Sequence, residues 1–159
     1  YLGGYLGDRM GKTDKRWYMG VPGIATIISV PFAVLFYTTG DPMLAIVLAI
    51  PGAILGPMYL GPTFAMTQTL VPPAMRSTAS AILLFVLNLI GLGLGPVFAG
   101  FLSDTLKPEY GEESIRYSLL ILAVAGNIWS ALHYYLASRT LREDLVAKDQ
   151  LVETSPVID

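Results

Sequence analysis

The stretch "GGYLGDRMGKTDKRW", Gly3–Trp17, crowds glycines and bases together just before a long run that carries no charge. An ordinary basic loop needs no such glycines. Gly3, Gly4, Gly7 and Gly11 let a helix end turn sharply and lie close to a neighbour. Asp8 is placed to meet an arginine or the positive N-terminus of another helix. Arg9, Lys12, Lys15 and Arg16 can hold the turn at a lipid surface. What the stretch is for depends on its flanks.

The flanks are apolar. The chain has 159 residues, of which 53% are hydrophobic and 14% charged, against about 25% charged in a soluble domain. Its mean hydropathy is +0.58. No charge falls in 17–39, 43–70, 77–102 or 117–138. Each run exceeds the ~18 residues that mark a membrane-spanning helix. At about 1.5 Å per residue the shortest reaches roughly 33 Å, enough for a hydrocarbon core of about 30 Å. Soluble core helices would need amphipathic neighbours to cover them, and too little chain is left for that. The fold class is all-α integral membrane, with four complete transmembrane helices plus a partial one.

The expected partition follows the charges. Residues 1–7 end a truncated helix, which makes the chain a fragment of something longer, and 8–16 form a loop. Transmembrane helices occupy 17–39, 43–70, 77–102 and 117–138, with an acidic loop at 103–116 and a tail at 139–159. Lys and Arg fall mostly on one side: Arg9, Lys12, Lys15, Arg16, Arg76, Arg139, Arg142 and Lys148 against Lys107 and Arg116. The positive-inside rule then makes the first loop, the Arg76 loop and the tail cytoplasmic, in a cell membrane. Leu141, Leu145 and Val152 give the tail an apolar face, and Asp144 and Lys148 stand at i, i+4.

Several function classes drop out. Net charge is −2, which suggests no nucleic-acid partner, and there is no cysteine for disulfides, thiol chemistry or Cys-based metal sites. His133 is the one histidine; it reads as an interfacial side chain and cannot hold a metal alone. No catalytic set and no phosphate-cradling loop is present, so neither enzyme chemistry nor a cofactor is expected.

The spans differ in their breakers. The second carries Pro51, Pro57 and Pro62, each beside a glycine, and should bend or break. The third carries Gly91, Gly95, Pro96 and Gly100, the first two as a GxxxG that admits a close helix. Both patterns suit tight packing in a bundle as well as a moving helix. The first and fourth look plainer and lipid-facing, with Trp17, Tyr18, Tyr134 and Tyr135 at belt positions. Tyr59, Thr63 and Met66 share one face of the second span, and Phe85 lies near Asn88 on the third. These residues either make interhelical hydrogen bonds or line a mostly apolar cavity.

"GYLGDRMGK", Gly4–Lys12, resembles the signature loop of the major facilitator superfamily, with Gly4, Asp8, Arg9, Gly11 and Lys12 matching. "VPPAMRSTASAILLFVLNLIGLGLGPVFAGFLSD" resembles the eleventh helix and its entry in the spinster-like branch. No arginine of a first-half Arg-x-x-Gln-Gly element stands in the second span, although "GLGLGPVFAG" keeps a first-half placement open. The resemblance implies the C-terminal part of a twelve-helix fold, from the end of helix eight through helix twelve. It further implies alternating access, Asp8 docking on the other half of the carrier, and the Gly-Pro bends as gating points. Expected partners are the lipid bilayer, a small amphiphilic or lipid-like solute and the missing N-terminal half. The alternatives are a drug or metabolite–proton antiporter of another branch, or a non-transporting four-span scaffold or enzyme subunit.

Overall fold

The computed structural model describes residues 2–154, with side chains through Gln150. Its helices are α1 (Leu2–Gly11), α2 (Trp17–Thr38), α3 (Pro42–Leu55), α4 (Leu60–Thr69), α5 (Arg76–Val86), α6 (Gly95–Tyr110) and α7 (Ser114–Thr154). A 3₁₀ turn, Gly56–Tyr59, joins α3 to α4, and a π-helical stretch, Leu87–Leu94, joins α5 to α6. Trp17–Thr38, Pro42–Thr69 and Pro73–Gln150 are each long and apolar enough to cross a membrane. The last run folds back on itself at Gly111, whose φ of +56° favours glycine.

Prolines act locally as their missing N–H dictates. The second span breaks at Gly56–Tyr59, around Pro57, while Pro51 lies inside α3 and Pro62 is fully buried in α4. The first span is not plain: α2 contains Pro22 and Pro31, and Pro22 is fully buried. Hydroxyls on α2 turn back onto backbone carbonyls, Thr26 onto Gly23 at 2.8 Å and Ser29 onto Thr26 at 2.7 Å. In lipid such internal bonds replace water. Asp41 starts α3 by accepting from the N–H of Met43 at 2.8 Å and of Leu44 at 3.4 Å, with Pro42 at the first helical position.

Two segments expected as loops are helical: the start of 8–16, where α1 runs on to Gly11, and most of the acidic loop. The acidic loop shrinks to Gly111–Glu113, because α6 runs on to Tyr110 and α7 begins at Ser114. Side-chain pairing between the two helices sustains them past the apolar runs. Ser103 and Ser114 share a hydroxyl bond of 3.0 Å, Ser118 donates to the Ala99 carbonyl at 2.7 Å, and the Tyr110 and Tyr117 rings lie 4.3 Å apart. The tail is no separate helix but the continuation of α7, which is 41 residues long. Its Leu141 is 2% exposed, clustered with Met19 and Met66, and Leu145 packs on that cluster. Lys148 pairs with Asp149 at 2.7 Å rather than with Asp144. The expected end of the tail, 155–159, lies outside the described residues.

The opposite end of α7 is tied down by Arg116. Its guanidinium donates to the carbonyls of Tyr37 and Thr39, at the C-terminus of α2, and pairs with Glu113 at 2.9 Å. A cation there complements both the orphan carbonyls and the helix dipole.

Candidate functional site

The glycines of α1 make room for backbone and ring. Gly3 sits against the Met58 carbonyl, where a Cβ would overlap it, and Gly4 Cα comes within 3.3 Å of where a Cβ on Gly61 would stand. Gly11 leaves space for the ring of Tyr18. That ring places its hydroxyl to donate to Asp8 Oδ1 at 2.9 Å. Tyr18 is therefore a partner of the loop carboxylate.

A second carboxylate, absent from the sequence-based site, closes the loop. Asp14 Oδ1 accepts from its neighbour's backbone, the Arg16 N–H, at 3.0 Å. Both its oxygens engage Arg142 on the α7 extension, Nη2 to Oδ2 at 2.8 Å and Nε to Oδ1 at 3.1 Å. The Arg16 backbone bond, and then the Arg142 guanidinium, hold the Asp14 carboxyl below the usual carboxylate range. Loop and α7 are thus joined by a two-pronged ion pair beside the Met19–Met66–Leu141 cluster. Arg9 reaches Tyr5 at 3.4 Å, and Lys12 is exposed.

The expected cavity residues separate into two groups. Met66 is 6% exposed inside the cluster, and Thr63 shares a 2.9 Å hydrogen bond with Tyr134 of α7. Tyr59 is half-buried in the 3₁₀ turn. Thr63 and Met66 thus tie α4 to α7, the interhelical alternative of the two. Phe85 and Asn88 are exposed on the α5 side of the π stretch, where Asn88 Nδ2 donates to the Leu84 carbonyl at 2.7 Å. That bond returns the amide to the last turn of α5, just ahead of the π stretch, an element frequent at functional sites.

The expected close helix at Gly91 and Gly95 is absent among the described residues. A Cβ on Gly91 or Gly100 would meet nothing within 4 Å, and one on Gly95 would meet only Ile90 of its own helix, at 3.6 Å. The π widening takes up this stretch, and Pro96 lies exposed in the first turn of α6. Leu89, Ile90 and Leu92 are likewise exposed, Leu92 by 76%. On the other side of the bundle, Ser29 donates to Asn127 Oδ1 at 3.0 Å across α2 and α7, beside a cavity of about 300 Å³ that α3 also lines. Neither residue had a sequence signal: each is one polar group in an apolar run.

Long apolar helices, a glycine-built basic loop and a proline-broken span define a polytopic α-helical membrane protein. Residues 1–158 match the Major Facilitator Superfamily, and the chain belongs to it. It is similar to an MFS-type efflux pump of Mycolicibacterium smegmatis, with 35% identity over 143 residues, 90% of this chain and 33% of that protein. The chain therefore spans about a third of the length of that curated relative. No solved structure matches it.

Proposed function

We propose that this chain forms the C-terminal part of a twelve-helix carrier that moves an amphiphilic organic solute out of the cytoplasm by alternating access. The observation that carries this reading is the contrast between a tied loop end and an open face. Asp8, Asp14, Tyr18 and Arg142 lock the loop to α2 and α7, whereas α5 and the π stretch bury no residue. A carrier half that rocks as one body needs the first, and a wall facing a solute path needs the second. Phe85 and Asn88 are then the wall residues, apolar surface with one polar handle. Asp8, whose carboxylate is oriented by Tyr18, docks on the other half when the cytoplasmic side closes. Gly4 and Gly11 position this latch, and the breaks at Pro57 and along Gly91–Pro96 serve as bending points.

Two substrate classes fit the apolar wall. A lipid-like solute follows from the resemblance to the spinster-like branch. A drug-like or metabolite solute, exchanged for protons, is favoured by the efflux activity in the relative's name. The test is export of a lipophilic fluorescent cation and of a fluorescent lysolipid by cells expressing the full-length protein. Export of either, lost in Asp8→Ala at equal membrane abundance, supports the carrier. No export of either, or unchanged export by Asp8→Ala, contradicts the carrier or the latch respectively.

A further inference from the structure

On the face of α2 opposite Ser29, a groove of about 360 Å³ runs between α2 and α7. Gly20, Gly23, Ile24, Ile27 and Ile28 line one wall, and Ala131, Tyr135 and Ser138 the other. Helical spacing puts Gly20, Gly23, Ile24 and Ile27 on one side of α2, and Ile24, Ile27 and Ile28 are 46–50% exposed. From Gly20 to Ile28 the groove descends about 12 Å, close to the ~15 Å depth of one hydrocarbon leaflet. Gly23 lets the two helices approach at its floor, where a Cβ would lie 3.1 Å from that of Tyr134. The Trp17 ring lies over Gly20, 3.0 Å from where a Cβ would be, and closes the upper edge.

The mouth is basic. Arg16 precedes Gly20 by one turn and Gly23 by two, and its backbone is already helical (φ −55°, ψ −26°). On the facing helix Arg139 follows Tyr135 by one turn and lies 5.7 Å from the centre of that ring. Glu143 stands one turn further along α7, yet among the described residues neither Arg16 nor Arg139 forms an ion pair. Arg142, one turn from Ser138, is by contrast committed to Asp14. Two exposed guanidiniums thus crown an apolar slot of leaflet depth.

We propose that this groove seats one acyl chain of an anionic phospholipid, with the lipid phosphate held between Arg16 and Arg139. Charge at the mouth selects the occupant. An uncharged or zwitterionic lipid leaves the two guanidiniums without net compensation, and a soluble phosphate has no use for the apolar slot below them. The site lies on the outer side of the α2–α7 pair, apart from Phe85 and Asn88, so it does not depend on the transport reading.

The test is native mass spectrometry of the purified full-length protein titrated with dioleoylphosphatidylglycerol, compared with dioleoylphosphatidylcholine. Wild type should hold one phosphatidylglycerol more tightly than any phosphatidylcholine, with affinity falling as salt rises. Arg16→Gln/Arg139→Gln should weaken that site by roughly tenfold or more, since juxtamembrane bases add strongly to anionic-lipid binding. Ala131→Phe, which fills the slot and keeps both charges, should abolish it. Equal retention of phosphatidylglycerol by wild type and the double variant would overturn the proposal. So would equal affinity for phosphatidylcholine, or full displacement by glycerol 3-phosphate, which would mark a site for a free anion.

Discussion

The loop end of the molecule and the α5–α6 rod are built from similarly apolar sequence, yet they end in opposite states. At the loop end, Met19, Val21, Pro22, Ala25 and Ser29 of α2 are buried, and Met66 and Leu141 close on them. Along α5 and the π stretch nothing is buried, and α6 buries only Ala99. Both regions are rich in glycine and proline. The difference lies in what the glycines face: Gly3 and Gly11 meet a carbonyl and a ring, whereas Gly91 and Gly100 meet open space. Glycine content alone therefore marks no packing face. A neighbour must be there to use the room.

This contrast can be broken most forcefully at Gly3. Gly3→Val drives a side chain into the Met58 carbonyl and should cost about 3 kcal/mol by overpacking, seen as loss of monodisperse full-length protein in detergent. Gly91→Ala should leave thermal stability nearly unchanged. A comparable loss at Gly91 would mean that a helix elsewhere in the full protein sits against it, and would return the GxxxG to a packing role. Next in size, Leu141→Ala should cost about 2–3 kcal/mol through the cavity left beside Met19 and Met66, measured as a lower melting temperature. The same change at exposed Leu92 should cost far less.

The Asp14–Arg142 pair sharpens the comparison with a smaller effect. Asp14→Asn and Arg142→Gln should each raise hydrogen exchange in the loop about twofold, with no further rise when combined, because the two share one partly exposed contact. Fully additive effects would count against the strap. Acid gives the smallest and narrowest effect. A carboxylate with a depressed folded value contributes above its unfolded value and loses that contribution as pH falls through the folded one. Loop protection should therefore persist on acidification to about pH 4 and fade only below the ordinary 3.8 of Asp14. Fading between pH 5 and 6 would point to another group.

The sequence made the crossings legible because lipid demands long uncharged runs, and "GYLGDRMGK" carried the family in its own residues. The break in the second span was legible too, since Pro57 lacks an N–H wherever it stands. Contacts between distant segments were not. Asp14 and Arg142 are 128 residues apart, and each looks like an ordinary charge in a solvated stretch. Tyr18 sat at a belt position and gave no sign of turning toward Asp8, although the gap left by Gly11, seven residues before it, was the available hint. The spacing set Thr63 and Met66 apart in the second span, but periodicity could not say that they meet α7. The π stretch was hidden for a similar reason: its register is set by backbone hydrogen bonds and leaves no side-chain pattern.

The account turns on Phe85 and Asn88 facing a solute path while Met66 is sealed within the bundle. Single cysteines at Asn88, Phe85 and Met66 of a cysteine-free full-length protein, probed with a membrane-impermeant maleimide, test this directly. The account predicts that Asn88→Cys and Phe85→Cys are labelled and are protected by a transported amphiphile, and that Met66→Cys stays unlabelled. Labelling of Met66→Cys, or no labelling of the other two under any condition, would contradict it.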